Sequence, residues 1–156
     1  MQKSTSLNRP NLGLVCITAS DAVRYRTTTR KNLLALSEAD QVEKLRTLYE
    51  YNIAVLQNAL TFCTDHGIRL YRISADIFPF ADTDMGADVL ESFADKIAKA
   101  GEAATSLGIR LVIHPDQFVV FSSDSPQVVA NSIKIMEMHA KTMDLLHQPR
   151  SAWAPL

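Results

Sequence analysis

A four-residue stretch occurs twice in this chain and restricts its fold more than any other feature. Gly67-Ile68-Arg69-Leu70 and Gly108-Ile109-Arg110-Leu111 are identical and lie 41 positions apart (108 − 67). Each copy follows a segment with the apolar spacing of a helix and opens an apolar run of strand length. A helix–glycine–strand unit that repeats at this period predicts βα units in a parallel sheet.

The rest of the chain fits the same alternation. Ser37 followed by Asp40 is typical of a capped helix start, Gly67 and Gly108 are typical of helix ends, and Pro126 suits a first helical turn. The segments 19–31 and 75–86 are predicted to be loops, the first being interpreted as a solvated connection in preference to a ligand-contacting loop. Strands are predicted over 12–18, 68–74 and 109–114, and helices over 38–66, about 88–107 and about 126–146.

Parallel βα units leave two main architectures, an open doubly wound sheet or a barrel. No glycine-rich turn follows any predicted strand, which disfavours the nucleotide-binding open sheets. A complete barrel of eight units needs about 250 residues, whereas this chain has 156. The predicted fold class is therefore α/β, the N-terminal portion of a (β/α)8 TIM barrel with three βα units. Residues 151–156 would approach a fourth strand, residues 12–156 would form one partial barrel domain, and residues 1–11 would be a lead-in.

Composition favours an ordinary globular protein. The hydrophobic fraction is 47%, and the net charge of −1 gives no basic footprint for nucleic acid. Cys16 and Cys63 lack metal-type spacing and are predicted to be buried free thiols, which fits a reducing compartment. No apolar run reaches the roughly 18 residues of a membrane span, and no secretory signal is apparent, so a cytoplasmic location is expected.

Polar residues at the predicted strand ends are the functional candidates, because this end of a barrel carries the active site. His114 leads, since a neutral imidazole after an apolar strand can bind a divalent metal or act as a general base. The alternative is a histidine hydrogen-bonded at the start of a loop, and a metal site would need at least three converging ligands. The other candidates are Thr18, Ser74, Asp76, Asp116 and Gln117.

Two neighbouring stretches offer further side chains. Asp82 and Asp84 supply carboxylate oxygens, although a solvated acidic loop is the preferred interpretation for both. Gln117 and Phe118 pair an amide that can read base edges with an aromatic that can enter a base stack. The alternative, favoured by the residues alone, is that Phe118 begins a small hydrophobic run. The remaining histidines are interpreted as structural: His66, His139 and His147.

Several of these segments resemble the UV damage endonuclease family, in the same order and over about 12–156. The resemblance implies a TIM-barrel DNA repair enzyme, similar to endonuclease IV. Such an enzyme nicks the phosphodiester bond on the 5′ side of UV photoproducts in duplex DNA with a cluster of divalent metals, typically manganese. The segments that carry the resemblance are Leu12-Gly13-Leu14-Val15-Cys16, Arg26-Thr27-Thr28-Thr29, the stretch from Tyr71 to Ala81, and Ile113-His114-Pro115-Asp116-Gln117-Phe118-Val119.

The resemblance also implies roles for individual residues. His114 matches the metal-ligand histidine of the family's His-Pro-Gly-Gln-Tyr motif, and Gln117 and Phe118 match the pair that probes the damaged site. Asp116 stands where the family usually has glycine. Thr83 stands where some members have a further ligand histidine, and replacement of that ligand by Asp82 or Asp84 stays open. Leu14 and Thr18 stand where some members carry lesion-contacting Tyr and Asn.

Three functional hypotheses follow. The first is the N-terminal portion of a metal-dependent UV damage endonuclease, inactive when isolated because the other ligands of the family lie beyond the segment Leu145–Ser151. The second is a half-barrel that binds DNA or dimerises without catalysis. The third and weakest is a sugar-phosphate isomerase that uses the same strand-end histidine and acids. The residues assign no catalytic group and no oligomeric state.

Overall fold

The computed structural model describes residues 12–18, 20–152 and 154. It contains one parallel sheet in the order β1-β2-β3, and Tyr71 on the central strand pairs with Leu14 on one side and Leu111 on the other. Parallel neighbours require crossover connections, which the helices between the strands supply. The predicted α/β fold of parallel βα units is thus confirmed. The strands are β1 (Gly13–Val15), β2 (Leu70–Ile73) and β3 (Arg110–Ile113).

The helices begin and end largely where local chemistry predicts. The Ser37 hydroxyl accepts a hydrogen bond from the Asp40 backbone and donates one to its carboxylate. Gly67 and Gly108 adopt positive φ angles of 68° and 65° directly before the strands that they introduce. The helices are α1 (Arg30–Leu34), α2 (Glu38–Asp65), α3 (Asp84–Glu91), α4 (Ala94–Ser106) and α5 (Pro126–Leu145), with 3₁₀ turns at Asp21–Val23 and Ala75–Ile77.

Two predicted elements differ from the structure. The helix expected over 88–107 is two helices, because the chain breaks at Ser92 and Phe93, where the Ser92 hydroxyl donates to the Val89 carbonyl. Phe93 is thereby buried against the Tyr49 ring, with centroids 6.2 Å apart. The loop expected over 19–31 contains a 3₁₀ turn and the start of α1, whose first turn is capped by the Thr29 hydroxyl.

The sheet is covered by helices on one face. Side chains that alternate along β2 and β3 are fully buried in the core beneath α2 and α4, and their neighbours point the other way and stay partly exposed. Val15 and Ile17 are also exposed, at 43% and 82%. Parallel sheets are usually covered on both faces, whereas the described residues cover only one face of this sheet. The buried set is Tyr71, Ile73, Leu111 and Ile113, and the opposite set is Leu70, Arg72, Arg110 and Val112.

The last helix packs closely against α4. An added Cβ at Gly101 would lie 1.8 Å from the Leu146 carbonyl oxygen, so only glycine permits this approach. No fourth strand occurs in the described part of 151–156, where Ala154 is buried against the core. The rest of the expected strand approach, Trp153, Pro155 and Leu156, lies outside the described residues, as does the lead-in 1–11. None of the described helices combines the length and apolar character needed to cross a bilayer.

Candidate functional site at the strand ends

The carboxyl ends of the three strands open into one cavity of about 400 Å³. Strand ends of a parallel sheet meet at one edge, so residues distant in sequence come together there. Five of the sequence-predicted residues line the cavity: Thr18, Ser74, Asp76, His114 and Asp116. Asp82 lies apart from it and borders two neighbouring cavities, each of which also includes Asp76.

His114 follows the last residue of β3 and is exposed at the cavity. Ile113, directly before it, is buried among the core side chains. The strand therefore fixes the backbone of His114, while its imidazole makes no hydrogen bond or ion pair with any other described residue. An accessible imidazole on a fixed backbone can take a ligand, a metal or a proton.

The hydroxyls predicted as polar contacts hold backbone in place. The Ser74 Oγ accepts from the Asp76 backbone amide at 3.2 Å and caps the 3₁₀ turn that follows β2. The Thr18 Oγ1 lies within donating distance of the Ser20 and Val23 carbonyls, at 3.1 and 3.3 Å. Both side chains therefore shape the rim of the cavity.

Asp76 and Asp116 place two carboxyl groups beside His114. Partial burial, and next the charge of Asp116, raise the pKa of the Asp76 carboxyl above its ordinary value. A carboxyl whose pKa is raised by burial and a neighbouring acid is a common feature of sites that bind cations or transfer protons.

The side chains present do not complete a metal site. Within 12–18, 20–152 and 154, no three His, Cys, Asp or Glu side chains are placed to hold one ion. His114, Asp76 and Asp116 share a cavity without converging as ligands. Asp82 and Asp84 are both exposed, and Asp84 is the first residue of α3.

The loop after β3 presents Gln117 and Phe118 to solvent. The Val119 amide donates to the Asp116 carbonyl at 3.0 Å, which closes a turn with Gln117 and Phe118 at its centre. The Val120 amide donates to the Ser132 hydroxyl at 2.9 Å and so ties the loop to α5. Phe118 is 71% exposed, so the alternative in which it begins a buried hydrophobic run does not hold.

The segment after β1 is anchored beside the cavity by a buried amide. Asn52 of α2 is fully buried, and its side chain accepts from the Arg26 amide and donates to the Arg26 and Ile77 carbonyls, each at 2.8 Å. The Arg26 guanidinium lies over the Tyr51 ring, 3.9 Å from its centroid. This segment is therefore more than a solvated connection. The sequence feature that could have indicated this anchor is Asn52, the one amide side chain among the apolar residues on that face of α2.

Two further polar residues were missed. Arg72 lies in the cavity wall, and its Nε is buried without a hydrogen-bond partner. His139 is 1% exposed, and neither of its ring nitrogens has a partner. His139 borders a cavity of about 130 Å³ with Asp82 and Asp116, and burial lowers its pKa although both acids oppose the shift. The sequence does indicate a special role for Arg72, because it places a charged residue inside an apolar strand. The spacing of residues around His139 gives no comparable indication.

Cys16 and Cys63 occupy different surroundings. Cys63 is fully buried, and burial raises the pKa of its thiol to about 11. Cys16 is only half-buried and lines the strand-end cavity. Burial of both thiols was predicted and holds for Cys63 alone.

Known proteins resemble this chain over most of its length. The family model described as UV-endonuclease UvdE matches residues 10–156. A UV DNA damage endonuclease of Nostoc sp. is 50% identical over 148 residues, covering 94% of this chain and 46% of the relative. That of Deinococcus radiodurans is 45% identical over 147 residues, covering 92% and 48%.

A solved structure shows the same partial coverage. The crystal structure of SacUVDE superposes with a TM-score of 0.72 at 27% identity, covering 87% of this chain and 45% of that one. The chain thus spans about half the length of the curated relatives it matches.

Proposed function

The chain belongs to the UV-endonuclease UvdE family, and from that premise we propose that it forms the lesion-reading half of a DNA repair endonuclease. Its substrate is UV-damaged duplex DNA, and the reaction is metal-dependent nicking of the phosphodiester bond 5′ to the photoproduct. Residues 12–156 act as one partial barrel domain of a cytoplasmic protein. The nicking activity belongs to a protein of the length of its relatives.

One observation carries this proposal. The loop that follows His114 lifts Gln117 and Phe118 out of the protein on a hydrogen-bonded turn, next to the strand-end cavity. A lesion weakens base stacking, so an exposed aromatic can enter the stack there at low cost while an amide contacts base edges. Recognition at the tip then brings the backbone of the same duplex to the cavity.

His114 is proposed as one ligand of a divalent metal, manganese by family resemblance. Bound metal in such enzymes polarises phosphoryl oxygens and activates water. The ligand set of the described residues is incomplete, so we assign no catalytic group in this chain. Thr18, Ser74 and Asp76 are proposed to contribute polar contacts around the same cavity. Asp82 is proposed to contribute one from the neighbouring cavities that it shares with Asp76.

The incomplete ligand set also supports a second candidate, damage-directed DNA binding without catalysis. Binding needs the exposed turn and the cavity, both of which the described residues contain. No observation favours the sugar-phosphate isomerase hypothesis.

A chimera separates the two candidates. This chain replaces the matching part of the Nostoc relative, and the product is incubated with manganese and a 5′-labelled duplex carrying one cyclobutane pyrimidine dimer. We expect nicking 5′ to the dimer by the chimera, and at least a hundredfold slower nicking after His114→Ala. The unaltered relative is the positive control. A folded chimera that binds the damaged duplex and leaves it intact supports binding without catalysis and contradicts the endonuclease proposal.

A further inference from the structure

Arg72 is a charged residue in the wall of the strand-end cavity that has no ion-pair partner among the described residues. Its neighbours along β2, Tyr71 and Ile73, are buried beneath the helices, so the Arg72 side chain lies on the opposite face of the sheet. Its Nε is buried and has no hydrogen-bond partner, and no described residue forms an ion pair with its guanidinium. A buried donor of this kind is costly to leave unsatisfied, which indicates that an acceptor belongs there.

The surroundings of Arg72 are suited to an anion. Arg24 and Arg26 line the same cavity, together with the Thr27 hydroxyl. Asp76 and Asp116 also line it, but neither forms an ion pair with Arg72. Arg24 pairs with Asp21 at 3.0 Å, whereas the Arg72 and Arg26 guanidinium groups form no ion pair with any described residue.

We propose that Arg72 binds the phosphodiester group of a nucleic-acid backbone and positions it beside His114. The planar guanidinium presents paired N–H donors that match two phosphate oxygens, and partial burial strengthens that contact because water competes less. This inference rests on the proposed function and adds to it a substrate-binding residue within the cavity.

Two other acceptors fit less well. A second copy of this chain that packs by the same sheet face would bring Arg72 and Arg110 against Arg72, because the described strands carry no acid on that face. A lone carboxylate from another polypeptide needs far less room than a cavity of about 400 Å³ at the strand ends, where barrels bind substrates. A phosphodiester with its flanking sugars suits both the volume and the position.

The test is an NMR titration of the full chain, followed through the Nε–H signals of its arginines. The probe is thymidylyl-thymidine, with its uncharged methylphosphonate analogue and propionate as matched controls at equal ionic strength. Through-bond correlations to the Arg72 backbone amide assign its Nε–H signal on the unaltered chain, and the loss of that signal in Arg72→Lys checks the assignment. We expect saturable movement of that signal with the phosphodiester alone. No movement, or equal movement with the methylphosphonate or propionate, overturns the inference.

Substitutions provide a second measurement. Arg72→Lys keeps the charge but loses the paired donors, and we expect it to weaken dinucleotide binding about tenfold or more. Arg69→Lys, at the opposite end of β2 and bonded to the Leu107 carbonyl, is expected to stay within twofold. Equal affinities for the two variants contradict the role of Arg72. If Arg72→Lys does not fold, the controls on the unaltered chain decide.

The dinucleotide carries no lesion and is not cleaved. The titration can therefore succeed even if the chimera shows no damage-directed nicking. Conversely, an Arg72 Nε–H signal that does not move leaves the nicking result unaffected.

Discussion

The phenol oxygens of Tyr25 and Tyr71 lie 2.9 Å apart and join the segment after β1 to the central strand beside the cavity. Tyr71 is fully buried. Burial is the first cause that raises the pKa of both phenols well above the ordinary value, so both stay neutral in the folded protein. A neutral hydrogen bond thus holds one wall of the candidate site.

Stability is expected to fall in alkaline solution. The unfolded tyrosines lose their protons near pH 10 while the folded ones keep theirs, so the unfolded state binds fewer protons above that pH. The contribution of the two phenols to the free energy of unfolding is therefore constant below about pH 9 and decreases above pH 10. Tyr71→Phe should lessen that decrease and cost about 1 kcal/mol at pH 7. Urea unfolding between pH 7 and 11 measures both, and an unchanged slope in the variant contradicts the assignment.

Asn52→Ala should strongly destabilise the protein. The variant leaves the Arg26 amide and the Arg26 and Ile77 carbonyls without their buried partner, at an expected cost of about 2–4 kcal/mol. Asn58→Ala is the matched control, because Asn58 lies on the same helix and makes one exposed bond to the Ala22 carbonyl. Its expected cost is below about 1 kcal/mol. Comparable losses in urea unfolding would show that the Asn52 amide does not anchor the segment.

Gly101→Ala tests the contact between α4 and α5. The new Cβ would meet the Leu146 carbonyl at 1.8 Å, so the helices must separate, at a cost of about 2 kcal/mol or more. Gly67→Ala is the control, since its positive φ of 68° is strained but no atom lies within 4 Å of the new Cβ. It should cost about 1 kcal/mol. Thermal unfolding distinguishes the two, and a smaller loss for Gly101→Ala would contradict the close approach.

Phe118→Ala should affect DNA binding without affecting stability. The ring is 71% exposed, so its removal should change the free energy of unfolding by less than about 0.5 kcal/mol. Affinity for a duplex with one pyrimidine dimer should fall about tenfold, because stacking of an aromatic with a base contributes about 1–3 kcal/mol. Phe121→Ala, 55% exposed in the same loop but outside the turn, is the control. Equal losses in both variants would remove Phe118 from its proposed role.

Local patterns were sufficient to predict the parallel βα units and the position of His114 at a strand end. The repeated Gly-Ile-Arg-Leu segment located β2 and β3, and the rule that strand ends meet at one edge placed His114 near Ser74 and Asp76. The interruption at Ser92 was not predicted, because it depends on Phe93 packing against Tyr49 in another helix.

Long-range partners explain the residues that were missed. Asn52 forms hydrogen bonds with Arg26 and Ile77, each about 25 positions away. The spacing of residues along one helix cannot predict such contacts. His139 likewise faces acids from two other loops. The burial of its two ring nitrogens without a hydrogen-bond partner among the described residues follows from the packing of α5 against those loops.

Competition binding tests the central claim most directly. The full chain is mixed with a fluorescent duplex containing one cyclobutane pyrimidine dimer and titrated with unlabelled damaged or undamaged duplex of the same sequence. We expect the damaged duplex to compete at least tenfold better, and we expect Phe118→Ala to abolish this preference while Phe121→Ala retains it. Equal competition by the two duplexes would contradict a lesion-reading role for this chain.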